Sequence, residues 1–376
     1  MFWNKIWKQA LTRPLPGHMA VPAARTVGFP LKSPLDGAAI RVLLSNEHGT
    51  AEARLRGVSV EVGGRVCELR VGGRKEICIP AGGRVVTDAA EAAVKRGDTL
   101  SLRLYPLTLA EDLNYNEFEA FSYDGDVLDT AVLPPYQSTA REDTQEGMIM
   151  LPYLEGVELL CETPVKTIVA FGDSITAMSR WTKPLAEHLG EAYGQRWVLL
   201  NAGISGNCLS CESDGPMGPF FGPRGTERFA RDVLSEEHLA AVVFEIGTND
   251  TSFMLDTPAD ATRLEKLISD MEDVVGRAKA AGLRTVGVSI LPRFDGSSYT
   301  PQQDEKRRAF NAWAAAYEGF DYFLDWCHVG EDPTRPGWLR EGFHQGDGLH
   351  PSFAGGRELA AAFELDRLTG EPLKSR

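Results

Sequence analysis

The spacing of hydrophobic positions changes twice along the chain. In the first dozen residues, Phe2, Trp3, Ile6, Trp7, Ala10 and Leu11 recur at helical spacing, with Lys5, Lys8 and Gln9 on the other face. This predicts a short amphipathic helix within an N-terminal arm, residues 1–20. Such a helix docks Trp3 and Trp7 on the body of the protein or on a second subunit, which leaves a homo-oligomer open. A membrane-surface anchor is the alternative, with little basic or apolar surface behind it.

From about Arg25 to Pro135 the period becomes two. Val58, Val60 and Val62 alternate with Ser59 and Glu61, and Cys67, Leu69 and Val71 with Glu68 and Arg70. Ile77 and Ile79, Val85 and Val86, and Leu100, Leu102 and Leu104 continue the pattern. Gly63-Gly64, Gly72-Gly73 and Gly82-Gly83 punctuate these runs and supply the positive φ that tight hairpins need. A meander of short strands building an all-β sandwich over residues 21–150 is expected. The pieces at Pro134-Pro135 and Arg141–Glu146 read as a connector, and residues 151–376 as the second domain.

There, short apolar runs alternate with amphipathic stretches. The runs are Thr167–Phe171, Trp197–Leu200, Ala241–Ile246, Thr285–Ile290 and Tyr322–Leu324; helices are expected near 181–193, 226–239, 258–281, 301–318 and 352–367. Buried strands separated by helices predict an α/β fold, a parallel sheet covered on both faces. Chemistry in such a fold belongs at the carboxyl ends of the strands.

Composition narrows the partners. The charge sum is −14, with 39 basic and 53 acidic residues in 376, which disfavours a nucleic-acid binder. No stretch approaches the ~20 apolar residues of a membrane span, and the N-terminus has no secretory-signal core. Six cysteines are sparse for a disulfide-stapled fold. A cytoplasmic protein is the expectation.

Four polar blocks follow in order. Gly172-Asp173-Ser174-Ile175 closes the first run, Asn201–Asn207 follows the second, Gly247-Thr248-Asn249-Asp250 follows the third, and Asp347-Gly348-Leu349-His350 precedes the last helix. Alone, the first is equally a turn or helix cap. Together and in this order they resemble the SGNH (GDSL-type) hydrolase family over roughly residues 165–366. The upstream β region is similar to the jelly-roll-like domain of some bacterial carbohydrate esterases. The resemblance implies a flavodoxin-like three-layer α/β/α hydrolase domain with Ser174 as nucleophile, His350 as its base and Asp347 orienting the imidazole. It also implies an oxyanion hole made by the Ser174 and Gly206 N–H groups and the Asn249 side chain. A neutral serine hydroxyl needs such a base, and the oxyanion needs preorganised donors.

His344 is the competing base. Asp173 is expected to shape the nucleophile turn and Asp250 to brace the third-block loop. The loop 207–224, with Phe220 and Phe221, and the aromatic residues of 325–338 are candidate pocket walls, ordinary packing being the alternative. Cys208 and Cys211 form a C-x-x-C without a second pair or clustered histidines, so they read as loop residues, and neither metal nor cofactor is implied. The expected activity is hydrolysis of short-chain, acetyl-type esters, on O-acetylated carbohydrate, through an acyl-Ser174 intermediate. The alternatives are a lysophospholipase or thioesterase, and a catalytically silent glycan-binding protein.

Overall fold

The structure, a computed structural model, describes residues 1–14, 24–111, 113–114, 120–130, 133–134, 137–138, 151–211, 218–254, 258–294 and 299–373. The connector piece at 141–146 and Pro135 lie outside these residues. The chain divides into two compact units, Met1–Val165 and Lys166–Arg376.

The first unit is a β-sandwich of antiparallel sheets. One sheet runs in the order Phe2–Lys8, Leu154–Cys161, Gly37–Ser45, Arg84–Val86, with Ala90–Val94 also on Gly37–Ser45. The other is built around Arg25–Lys32, Thr99–Pro106 and Ala53–Val62. The N-terminal segment is therefore a strand, not a helix. Its buried positions are Asn4, Ile6 and Lys8, a period of two that polar residues conceal. Asn4 tolerates burial because its amide donates to the Thr163 carbonyl (3.0 Å) and accepts from the Val165 N–H (2.8 Å).

The same pairing moves the boundary. Leu154–Cys161 bonds to Phe2–Lys8 on one side and Gly37–Ser45 on the other, so residues 151–165 complete the sandwich and do not open the second domain. The glycine pairs differ in use. Gly63 (φ +58°) and Gly64 (φ +83°) turn a hairpin between Ala53–Val62 and Arg65–Leu69. Gly82-Gly83 instead links Ile77–Ile79 in one sheet to Arg84–Val86 in the other, so the strands do not form a simple meander.

The second unit has a five-stranded parallel sheet in the order Trp197–Gly203, Lys166–Gly172, Leu239–Glu245, Arg284–Val288, Tyr322–Leu324. This is the flavodoxin-like order 2-1-3-4-5. Alternate residues of each strand feed two cores. Ile168, Ala170 and Val243 pack with Leu185, Leu189 and Leu359 from helices Thr182–Tyr193 and Phe353–Ala361. Val169, Phe171 and Phe244 pack with Phe229, Leu267 and Phe310, from Gly225–Phe229, Pro258–Ala280 and Pro301–Ala316. The expected last helix is two, Phe353–Ala361 and Leu365–Thr369. No helix among the described residues is long and apolar enough to cross a membrane.

Candidate active site

The register aligns Gly172 with Gly203 on one side and Glu245 on the other, so the first three strands end level. Close packing at that edge requires glycine. A Cβ on Gly172 would collide with the Thr176 hydroxyl and Glu245 carbonyl, and one on Gly203 with the Ala177 backbone. Asp173 caps the short helix Ser174–Ala177, accepting from the Ile175 N–H (3.0 Å), which is the turn-shaping part expected of it. Ser174 is thereby held at the sheet edge, 7% exposed.

Three residues far apart in sequence form one hydrogen-bonded chain. His350 Nε2 lies 2.9 Å from Ser174 Oγ, and His350 Nδ1 lies 2.6 Å from Asp347 Oδ2. Asp347 Oδ1 also accepts from the Leu349 and His350 N–H groups, and Gln345 donates to Oδ2. Burial opposes ionisation of Asp347, but the hydrogen bond and charge of His350, with Gln345 and the Leu349 N–H, outweigh it and hold this carboxyl well below the usual range. An ionised Asp347 accepts from Nδ1–H, which leaves Nε2 as acceptor for the serine proton. His344 is not at Ser174; its Nδ1 accepts from the Gly346 (3.0 Å) and Gly348 (2.9 Å) N–H groups.

The remaining blocks are tied to this centre. Asn201 donates to the Thr176 carbonyl (2.6 Å) and the Ser179 hydroxyl (3.0 Å), latching the second loop to the turn that carries Ser174. Asn249, in the short helix Thr248–Ser252, donates one Nδ2 hydrogen to the Asn207 carbonyl (3.0 Å), which fixes the amide and leaves its second N–H. The Ser174 and Gly206 N–H groups have no acceptor among the described residues. Gly206 has φ +74°, and the ring of Phe221 lies against its α-carbon so closely that a Cβ would overlap it. Asp250 braces a different loop from the one expected. It accepts from the Leu209 (2.8 Å), Ser210 (2.9 Å) and Cys211 (3.3 Å) N–H groups of the second loop.

Beneath the site lies a buried polar layer that the sequence did not announce. Arg228, fully buried, donates to the Gly172 carbonyl (2.8 Å), the Ala202 carbonyl (2.8 Å), Asn207 Oδ1 (2.8 Å) and Asp232 (3.0 Å). It therefore joins the ends of two strands to the second loop. Burial lowers this guanidinium to about 10, against the opposing pull of Asp232. Desolvation pushes Asp173 up to about 7, and Glu245, which accepts from Thr176 Oγ1 (2.8 Å), well above its ordinary value. Burial also raises Asp250 despite its three N–H donors.

Cys208, Cys211 and Asp250 place their donor atoms within 4.8 Å of one another, the one such group among the described residues that could hold a metal ion. Sequence reading missed Asp250 as the third donor because it lies in a different block. The Cys211 thiol, burial and Asp250 all raise Cys208, so it is not primed as a thiolate nucleophile. Of the aromatic residues at 325–338, Trp326 is core, packed edge-on against Trp181 at 5.2 Å, and forms no pocket wall. Trp338 lies between the ring of Phe294 (6.0 Å) and Arg335 (3.8 Å).

A model of the GDSL-like lipase/acylhydrolase family matches residues 170–357, half of the chain. Among solved structures, the lipase/acylhydrolase from Enterococcus faecalis is 18% identical, with 56% of this chain and 100% of that one covered and a TM-score of 0.44. A catalytic mutant of an acetylxylan esterase from Geobacillus stearothermophilus is 19% identical, covering 56% and 97%, TM-score 0.42. A GDSL-like lipase from Bacteroides thetaiotaomicron is 20% identical, covering 54% and 87%, TM-score 0.39. No curated protein matches the sequence.

Proposed function

We propose that this chain, which belongs to the GDSL-like lipase/acylhydrolase family, is a serine esterase that hydrolyses short-chain esters through an acyl-Ser174 intermediate. The observation that carries this reading is the continuous chain from Ser174 Oγ through His350 to Asp347, at 2.9 and 2.6 Å. His350 takes the serine proton as Ser174 attacks the ester carbonyl, then returns it to the departing alcohol. Water repeats the sequence on the acyl-enzyme, with His350 again as base. Asp347 fixes the tautomer and balances the imidazolium. The Ser174 and Gly206 N–H groups and the second Asn249 amide hydrogen are the donors for the oxyanion. Asn249→Ala is expected to lower kcat by about 10²–10³-fold with little change in KM, read from steady-state kinetics on p-nitrophenyl acetate.

A short acyl group is favoured by the ring of Phe221 against Gly206, which takes the space beside a donor that the acyl carbon must approach. The acidic balance of the chain favours a polar alcohol, and we take O-acetylated carbohydrate as the substrate class. The comparison that tests this is hydrolysis of p-nitrophenyl acetate, butyrate and octanoate, followed by acetate release from acetylated oligosaccharides. Acetate should be cleaved best. Phe221→Ala should shift the preference toward butyrate and octanoate by about tenfold, the scale of one or two added methylenes. Wild-type preference for octanoate would instead favour lysophospholipid or thioester substrates.

A further inference from the structure

His344 stands six residues before the proposed base and takes no part in the chemistry above, yet it is built into the same turn. Its Nδ1 accepts two hydrogen bonds, from the Gly346 N–H at 3.0 Å and the Gly348 N–H at 2.9 Å. Gly346 (φ +106°) and Gly348 (φ +70°) carry the left-handed backbone that turns both N–H groups inward. These glycines flank Asp347, whose carboxylate holds His350. The turn is closed by the Gln345 N–H to the His350 carbonyl (2.9 Å) and a bridge between His344 and Pro351.

We propose that His344 is a positioning residue for Asp347 and His350, and that it works only as the neutral imidazole with its proton on Nε2. The proposal rests on the reading of Ser174, His350 and Asp347 as the reacting set. An imidazole nitrogen that accepts two backbone N–H bonds carries a lone pair and no proton. Protonation of Nδ1 sets three N–H donors against one another, and the turn gives up both bonds. Asp347 then loses the backbone frame that aims it. The charged groups around the turn are Asp347 and His350 within it, Arg180, which donates to the Pro351 carbonyl, and Arg340, whose guanidinium lies over the Phe343 ring and pairs with Glu358. Asn at this position would also offer an acceptor at the same reach.

The experiment is two-bond 1H–15N NMR of the imidazoles of the full chain near neutral pH, together with kcat and KM for wild type, His344→Asn and His344→Leu. His344 should show the Nε2–H tautomer. His344→Asn should keep kcat within about threefold, whereas His344→Leu, which removes the acceptor, should lose about tenfold or more with KM little changed. An Nδ1–H tautomer at His344, or a kcat for His344→Leu equal to that of wild type, overturns the proposal. If His344→Leu does not fold, the tautomer and the His344→Asn kinetics still decide it. A wild-type chain without esterase activity would defeat the catalytic reading instead, and the tautomer measured on that sample would still test His344.

Discussion

His350→Ala is expected to lower kcat for p-nitrophenyl acetate by about 10⁴-fold or more, and Ser174→Ala by a similar factor, while both variants should unfold at the wild-type temperature. The size follows from the chemistry. Ser174 without a proton acceptor at 2.9 Å is an ordinary alcohol, and Asp347 without the imidazole has nothing to orient. Because the two groups act as one unit, the Ser174→Ala/His350→Ala double variant should be no slower than either single one. Steady-state kinetics on the three variants, with thermal melts alongside, reads both parts. A double variant slower by the product of the two single effects would mean that Ser174 and His350 contribute independently.

Arg228→Met has the largest expected effect on stability, a loss of about 3–5 kcal/mol, from buried acceptors that lose their donor at about 1–3 kcal/mol each. The methionine fills much of the volume but removes the guanidinium donor from the Gly172 and Ala202 carbonyls and Asn207 Oδ1, the Gly172 carbonyl keeping the Ile204 N–H at 3.1 Å. Asp232 keeps Arg231 at 2.7 Å, so the loss comes chiefly from the orphaned acceptors at the strand ends. Urea denaturation compares the two proteins. Because Gly172 precedes the nucleophile turn and Asn207 bonds Asn249, the folded fraction should also show reduced kcat.

The second unit was legible because its signals are local. A parallel strand buried on both faces reads as an apolar run, and Tyr322–Leu324 has the same limits in sequence and structure. The four blocks are short, and each ends or begins an element. The N-terminal strand was not legible, because Asn4 and Lys8 occupy buried positions while Trp3 and Trp7 are half-buried between them. That inversion imitates a helical stripe. The domain boundary was hidden for a different reason. Leu154–Cys161 belongs to the first unit through pairing with Phe2–Lys8 and Gly37–Ser45, partners more than a hundred residues earlier that no local pattern records. The i,i+4 spacing of Arg228 and Asp232 carries no mark of burial in the sequence. Only the fold shows that this surface faces the strand ends. The three N–H bonds to Asp250 likewise depend on two loops meeting.

The most direct test of the central claim is the intact mass of the protein after treatment with a fluorophosphonate, with the adduct located by peptide mapping. Such reagents phosphonylate a serine only where a neighbouring base activates it. One adduct per chain, on Ser174, abolished in Ser174→Ala and strongly slowed in His350→Ala, is the result predicted here. An unmodified wild-type chain, or an adduct on another residue that persists in Ser174→Ala, would contradict it.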